Sequence, residues 1–264
     1  MDDYKKQVIE FFDRRTAYDA EGDSHPNEAK RLLEYVRLES GQTILDLATG
    51  TGLIAIAAAK IASDGSVIGV DMSSGMLKQA RSKIAAERID NLELIEADIE
   101  AIAFDIKFDV IFCCSALVYV SDIPAMLDKC YSWLKPGGCF AFTTPDKKSH
   151  LADVKVKVCQ DLFGIDLPHI IRPLWTPEKC RNLLQQSGFK DIAIEKYLYS
   201  RTKIDNNYST RLEREFYPRG NPLSNLSEAQ KELLQVEYTK AVTQLIAERG
   251  MWQEANNLYV KAYK

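Results

Sequence analysis

Between residues 43 and 146 the chain alternates short apolar, β-branched runs with longer stretches of helical periodicity. The runs TILDL (43–47), SVIGVD (66–71), LELIEAD (92–98), FDVIFC (108–113) and CFAFTT (139–144) predict strands. Residues 53–61, 75–88 and 123–133 predict helices between them, the second entered through Ser73 or Ser74 as a cap. Such alternation predicts an α/β fold with a doubly wound, mostly parallel sheet. Further on, Thr176 before Pro177 and Glu178 reads as a helix start, Gly188 as its stop, and 192–199 as a strand. Across 226–249, apolar positions recur at Leu234, Tyr238, Ala241, Leu245 and Ile246, behind Ser227 and Gln230 at capping-box spacing, with Gly250 as the stop. Residues 257–263 alternate like a last strand, so this helix is an insertion before strand seven, inside a terminal hairpin. At the amino terminus Tyr4, Val8, Phe11, Phe12 and Tyr18 fall near one helical face. A helical lid and a helix merely packed on the core fit that face equally well.

The 264 residues, 46% of them hydrophobic, suffice for one domain over 1–264. Its parts are cap helices (1–42), the alternating core (43–146), and substrate-side elements with the last strands (147–264). Charged residues make up 27%, the net charge is −4, and the signs are interspersed. The best basic cluster, Lys147, Lys148, Lys155 and Lys157, reads as a solvated face, so no nucleic-acid partner is expected. The start MDDYKK lacks an apolar signal core, and no run approaches the roughly 18 apolar residues of a membrane span. A cytoplasmic location is therefore expected. Six cysteines, none in a CxxC pair, read as buried reduced thiols, and no metal site is expected. Oligomeric state is left open.

The candidate chemistry centres on LDLATGTG (45–52), where an acidic residue and two glycines stand at a strand-to-helix turn. Gly50 and Gly52 permit positive φ and close approach of a ligand to backbone, and the helix from Leu53 points amide groups toward it. Gly50, Gly52 and Ala55 also satisfy the dinucleotide GxGxxG/A pattern, and Asp71 ends the next strand nineteen residues after Gly52. A carboxylate there can accept both hydroxyls of a ribose, a need shared by nicotinamide cofactors and S-adenosylmethionine.

The accompanying residues resemble class I S-adenosylmethionine-dependent methyltransferases, which have a Rossmann-like fold. LDLATGTG is similar to that family's first motif, VIGVDMS to its ribose-binding strand end and EADIE to its adenine contact. FDVIFCCSALVYVSD is similar to its fourth strand and following turn, and LKPGG to the turn before its fifth. The ATGTG form resembles the branch that includes quinone-biosynthesis and natural-product methyltransferases. The resemblance implies that Asp46 and the turn Ala48, Thr49, Gly50, Thr51 and Gly52 hold the methionine end of S-adenosylmethionine, and that Asp71 binds its ribose. It further implies that Asp98 accepts from the adenine amino group, that Met72 and Ile99 pack on the ring, and that Cys114 or Ser115 meets the methionine part. Tyr18 joins the cofactor-binding set. Two positions depart from the pattern. Ala48 stands where relatives often carry glycine, which alanine tolerates if its φ is negative. Val118 and Tyr119 replace a frequent histidine pair, leaving Tyr119 as a substitute contact or a core aromatic.

Of the three histidines, His169 and His25 rank above His150 as catalytic candidates because Ile170, Ile171 and Pro26 suggest ordered surroundings. Tyr4, Phe11, Phe12, Phe163, Trp175, Tyr208, Phe216, Tyr217 and Trp252 are candidates to line an apolar acceptor pocket beneath the amino-terminal helix, the 147–175 linker and the inserted helix. The expected activity is methyl transfer to a small aromatic or isoprenoid-like metabolite. The alternatives are an NAD-dependent oxidoreductase and a non-methylating S-adenosylmethionine-binding protein. A nucleic-acid amino-methyltransferase is disfavoured because Cys113, Cys114, Ser115 and Ala116 stand where its Pro-Pro-aromatic motif would be. Adjacent Cys113 and Cys114 raise arsenite methylation only weakly, since thiolate ligands must converge in space.

Overall fold

The computed structural model describes residues 2–203, 216–218, 220–249 and 252–264. The side chains at 150, 201–203, 249 and 252–254 are outside that description, so those of His150 and Trp252 are not placed, and Tyr208 and Gly250 lie outside the described residues.

Seven strands among the described residues form one sheet in the order β3-β2-β1-β4-β5-β7-β6. They are β1 (Thr43–Leu47), β2 (Ser66–Asp71), β3 (Leu92–Glu96), β4 (Phe108–Cys113), β5 (Leu134–Pro145), β6 (Lys190–Lys203) and β7 (Trp252–Tyr263). The first five pair in parallel, and β7 runs antiparallel between β5 and β6. The helices are α1 (Asp3–Asp13), α2 (Ser24–Val36), α3 (Leu53–Ile61), α4 (Ser74–Glu87), α5 (Ile123–Trp133), α6 (Ala152–Phe163), α7 (Pro177–Gln186) and α8 (Glu228–Arg249).

Alternate residues of a strand point to opposite faces, and here both faces are covered. Leu45, Leu47, Ile111, Phe140 and Phe142 join one core with α5 and α7. Ile44, Val110, Phe112 and Ala141 join the other with α2 and α3. The alanines of α3 let that helix lie close to the sheet. A third apolar cluster joins α6 to α8 through Val158, Cys159, Leu234, Tyr238 and Val242.

The doubly wound sheet expected from the pattern is present. The insertion is too: Ser227 and Gln230 cap α8 reciprocally, Gln230 Oε1 accepting from Ser227 N at 2.9 Å and Ser227 Oγ from Gln230 N at 3.3 Å. Four differences stand out. β3 ends at Glu96, and residues 97–107 cross to β4 without a helix. β5 starts at Leu134, because a register irregularity opposite Phe108 and Val110 absorbs the LKPGG turn into the strand. The supposed linker holds α6, where Lys155 is 3% exposed rather than on a solvated face. Finally, α1 ends at Asp13, so Tyr18 belongs to a following 3-10 turn and not to the α1 face.

Candidate active site

The glycine turn leaves β1 at its carboxyl end. Thr49 N donates to Val70 O at 2.9 Å, anchoring the turn to β2. Asp46, fully buried, accepts on Oδ2 from Thr49 Oγ1 at 2.6 Å and from Ala55 N at 3.1 Å, tying the turn to the first turn of α3. Burial pushes its carboxyl up to about 7, against the pull of those two donors. Gly50 and Gly52 lie at φ 56° and 80°. Ala48 lies at φ 53°, not at the negative value assumed for an alanine, so the turn carries left-handed strain at a non-glycine position. A Cβ on Gly50 would meet no heavy atom within 4 Å, so its outer side opens into the pocket. The amino end of α3 has no side-chain cap from Gly52, and Leu53 and Ile54 line the same pocket.

Asp71 ends β2 and is buried. Its Oδ2 accepts from Gly50 N and its Oδ1 from Ser73 N, both at 2.8 Å, which locks two adjacent turns together and leaves a lone pair on each oxygen. Asp98, just past β3, accepts from Glu100 N on Oδ1 at 2.9 Å and holds Lys5 of α1 on Oδ2 at 2.5 Å. Lys5 also reaches Glu100 at 2.9 Å. Burial of Lys5 opposes its charge, yet the two carboxylates keep its pKa above the usual lysine value.

Opposite the turn, the amino-terminal segment closes the pocket. Asp13 Oδ1 accepts from Ser73 Oγ at 2.6 Å and Gly75 N at 2.9 Å, and Asp19 accepts from Thr51 Oγ1 and Lys83 Nζ, each at 2.6 Å. Both acids latch the segment to the first and second helical crossovers. The Arg15 guanidinium sits 4.2 Å from the centre of the Tyr18 ring, which stacks on His25 at 4.5 Å. His25 Nδ1 lies 3.2 Å from Tyr18 Oη and 2.9 Å from Tyr199 Oη. Burial first, and then the Arg15 charge, lower its pKa to about 4, so the imidazole is neutral near pH 7.

Beyond β4, Ser115 is held at φ 54°. Its N donates to Thr143 Oγ1 at 2.8 Å and its Oγ donates to Glu28 Oε2 at 2.7 Å. Glu28 Oε1 accepts from Asn257 Nδ2 at 2.5 Å. The Tyr119 ring meets Phe12 and Phe216 edge-on at 5.5 Å, and its carbonyl accepts from Tyr4 Oη at 2.9 Å.

The structure thus brings Tyr18, His25, Asp46, Ala48, Thr49, Gly50, Thr51, Asp71, Met72, Asp98, Ile99, Cys114, Ser115 and Tyr119 around one cleft of about 1070 Å³, counting its solvent-open space. Gly52 stands behind it, its Cα side facing Ile56 and Ala80. His169 is not brought in: it lines a separate depression with Pro168, Ile170 and Arg172. Of the aromatic candidates, Phe12 lines the cleft, Tyr4 and Phe11 pack on Phe216, Trp175 joins the α5–α7 core, and Phe163 and Tyr217 join the α6–α8 cluster. Among the described residues no group of three acidic, histidine or cysteine side chains is placed to hold a metal, and Cys113 and Cys114 are free thiols whose pKa burial raises.

Glu28, Lys5, Asp13 and Asp19 escaped the sequence reading. Glu28 had a signal. It shares the buried stripe of α2 with Ala29, Leu32 and Leu33, where a carboxylate is out of place.

A family model described as a methyltransferase domain matches residues 38–188, which contain the glycine turn, Asp71, Asp98 and the Ser115 turn. The chain belongs to the S-adenosylmethionine-dependent methyltransferase family. This methyltransferase-family chain is 31% identical over 146 residues to aklanonic acid methyltransferase DauC of a Streptomyces species, covering 54% of the chain and 66% of DauC. It is 42% identical over 114 residues to demethylmenaquinone methyltransferase of Symbiobacterium thermophilum, covering 42% of the chain and 45% of that enzyme. The matches therefore span less than two thirds of these curated relatives. The YcgJ protein of Bacillus subtilis shares the fold, with a TM-score of 0.63 at 15% identity over 91% of this chain and 99% of that one. No described helix is long and apolar enough to cross a membrane.

Proposed function

We propose that this methyltransferase-family protein transfers a methyl group from S-adenosylmethionine to a small aromatic or isoprenoid-like metabolite. The observation that carries the reading is the placement of Asp71 beside the open Gly50 turn, with Asp98 one strand further along and Met72 and Ile99 between them on the cleft wall. The free lone pairs of Asp71 suit a ribose diol, and Asp98 suits an exocyclic amine once it shares Lys5. The unfilled side of Gly50 and the uncapped start of α3 suit the polar methionine end. When bound, the cofactor supplies an electrophilic methyl carbon on a sulfonium.

Asp46 acts through the turn, since its Oδ2 is spent on Thr49 and Ala55. Val8, Ile9, Phe12, Ala116 and Tyr119 make the acceptor end apolar and exclude water, which favours a largely apolar guest. The names of the two curated relatives support a small-molecule acceptor over a nucleic acid. His25, neutral and gripped by two tyrosines, orients a donor or acceptor atom rather than supplying charge, and Tyr119 shapes the wall. Alignment of reacting groups is worth roughly 7 to 11 kcal/mol, more than the proton transfer a base would add.

Calorimetric titration with S-adenosylmethionine, S-adenosylhomocysteine and NAD tests the assignment. Both sulfur ligands should bind, and Asp71→Ala should weaken them by roughly 10- to 150-fold, the loss of about 1.5 to 3 kcal/mol from hydrogen bonds to a charged acceptor. Selective binding of NAD would overturn the reading.

A further inference from the structure

At the acceptor end of the cleft a buried carboxylate stands without a counter-ion. Glu28 is 2% exposed and lines the cleft, and no described cationic side chain pairs with it. The titratable groups around it come from several elements: His25 on its own helix, Tyr18 on the amino-terminal turn, Cys114 after β4, Tyr199 on β6 and Tyr259 on β7. Burial raises the thiol and all three phenols and holds the imidazole near 4, so each is neutral at pH 7. Burial likewise raises Glu28, opposed by donors from Thr143, Ser115 and Asn257. The contacts to Ser115 and Asn257 do not require a charge, because a glutamine facing Asn257 would form an equivalent amide pair. A buried charge is costly, and one not needed for packing points to a ligand.

Resting on the methyltransferase reading, we propose that Glu28 is the general base of the reaction, and that the acceptor presents a neutral O–H or N–H donor to it rather than a carboxylate. Thr143, Ser115 and Asn257 occupy three of the roughly four acceptor sites of the carboxylate, which leaves one for the acceptor. The acceptor oxygen or nitrogen forms its bond to the methyl carbon while the sulfur–carbon bond breaks with its pair on sulfur. The proton of the acceptor passes to Glu28 and leaves for water with the product. An anionic acceptor would meet the Glu28 charge in an apolar setting and be rejected.

Two readouts test this. In an infrared difference titration of the whole chain against Glu28→Gln, with and without S-adenosylhomocysteine, a protonated carboxyl band absent from the variant should disappear as pH rises, above the range of an ordinary glutamate, as the buried carboxyl reaches its basic form. A carboxyl that stays protonated through neutral pH overturns the proposal whether or not turnover is found. With labelled S-adenosylmethionine and 1,4-dihydroxynaphthalene as the hydroxyl probe, Glu28→Gln should lower kcat by about 10²- to 10⁴-fold and erase the acidic limb of the pH profile, while the affinity for S-adenosylhomocysteine stays within about twofold. Glu28→Asp should restore the limb in part. An unchanged kcat and pH profile in Glu28→Gln overturns the proposal. If the wild-type chain does not methylate the probe, the infrared titration decides alone. Absence of cofactor binding would instead sink the methyltransferase reading, and the titration of the unliganded chain would still report on Glu28.

Discussion

The two ends of the cleft are built in opposite ways. The proposed cofactor end consists of turns at neighbouring strand ends, where Asp71 and Asp98 accept from backbone close in sequence or one strand away, with Lys5, Asp13 and Asp19 added by side chains of the amino-terminal segment. Asp71 binds Gly50 N and Ser73 N, and Asp98 binds Glu100 N. The proposed acceptor end is assembled from α1, α2, the turn after β4, β6 and β7, joined by side chains as far apart as Glu28 and Asn257. A site made of backbone needs a short motif to specify it. One made of converging side chains depends on the whole fold, so it is free to vary with the acceptor.

The largest expected effect bears on the cofactor end. Asp46→Ala should cost about 2 to 4 kcal/mol in urea unfolding, because it orphans Thr49 Oγ1 and Ala55 N in a buried turn. A cost below about 1 kcal/mol would mean that the turn stands without its acid. The two ends should also respond to pH in opposite senses. Asp46 has a folded pKa of about 7 against an ordinary 3.8, so the folded state keeps a proton that the unfolded state releases. Its contribution to stability is complete below about pH 4 and declines as pH rises to about 7. His25, about 4 against 6.5, declines as pH falls from 6.5 toward 4. Melting curves across pH should show Asp46→Asn flattening the first slope and His25→Asn the second.

Smaller effects sharpen the same contrast. Ala48→Gly should raise stability by up to about 1 kcal/mol by relieving φ 53°, a gain partly cancelled by the entropy of glycine. No gain would show the strain to be absorbed elsewhere. Lys5→Met should tighten S-adenosylmethionine binding by no more than about fivefold, since a partly exposed ion pair is worth about 1 kcal/mol or less. Weaker binding would instead make Lys5 a cofactor contact and α1 part of the cofactor end.

Much of this molecule was readable before its structure. The strands β1, β2 and β4, helices α3 and α5, and the cap of α8 fall where periodicity and capping residues place them, because each depends on residues within one or two turns. The candidate residues from Asp46 to Asp98, taken from the glycine turn and the family resemblance, fall around one cleft, with Gly52 behind it. His169, beside Ile170 and Ile171, is half-buried but lines another depression, since local apolarity reports burial and not location. Lys155 looked solvated within a basic run, yet on α6 it is buried. Lys5 and Asp13 gave no local sign because their partners, Asp98 and Ser73, lie about 60 to 90 residues away.

The sequence alone determined the doubly wound sheet, the glycine turn and the acids that follow it, because short-range sterics and backbone hydrogen bonding dictate those features. Only the tertiary structure decided that Ala48 adopts a positive φ, that α1 lays Lys5 on Asp98, and that α2 brings Glu28 into the cleft beside Ser115 and Asn257. These depend on how the helices dock across the sheet. Docking is set by the summed packing of distant side chains, which no local pattern records.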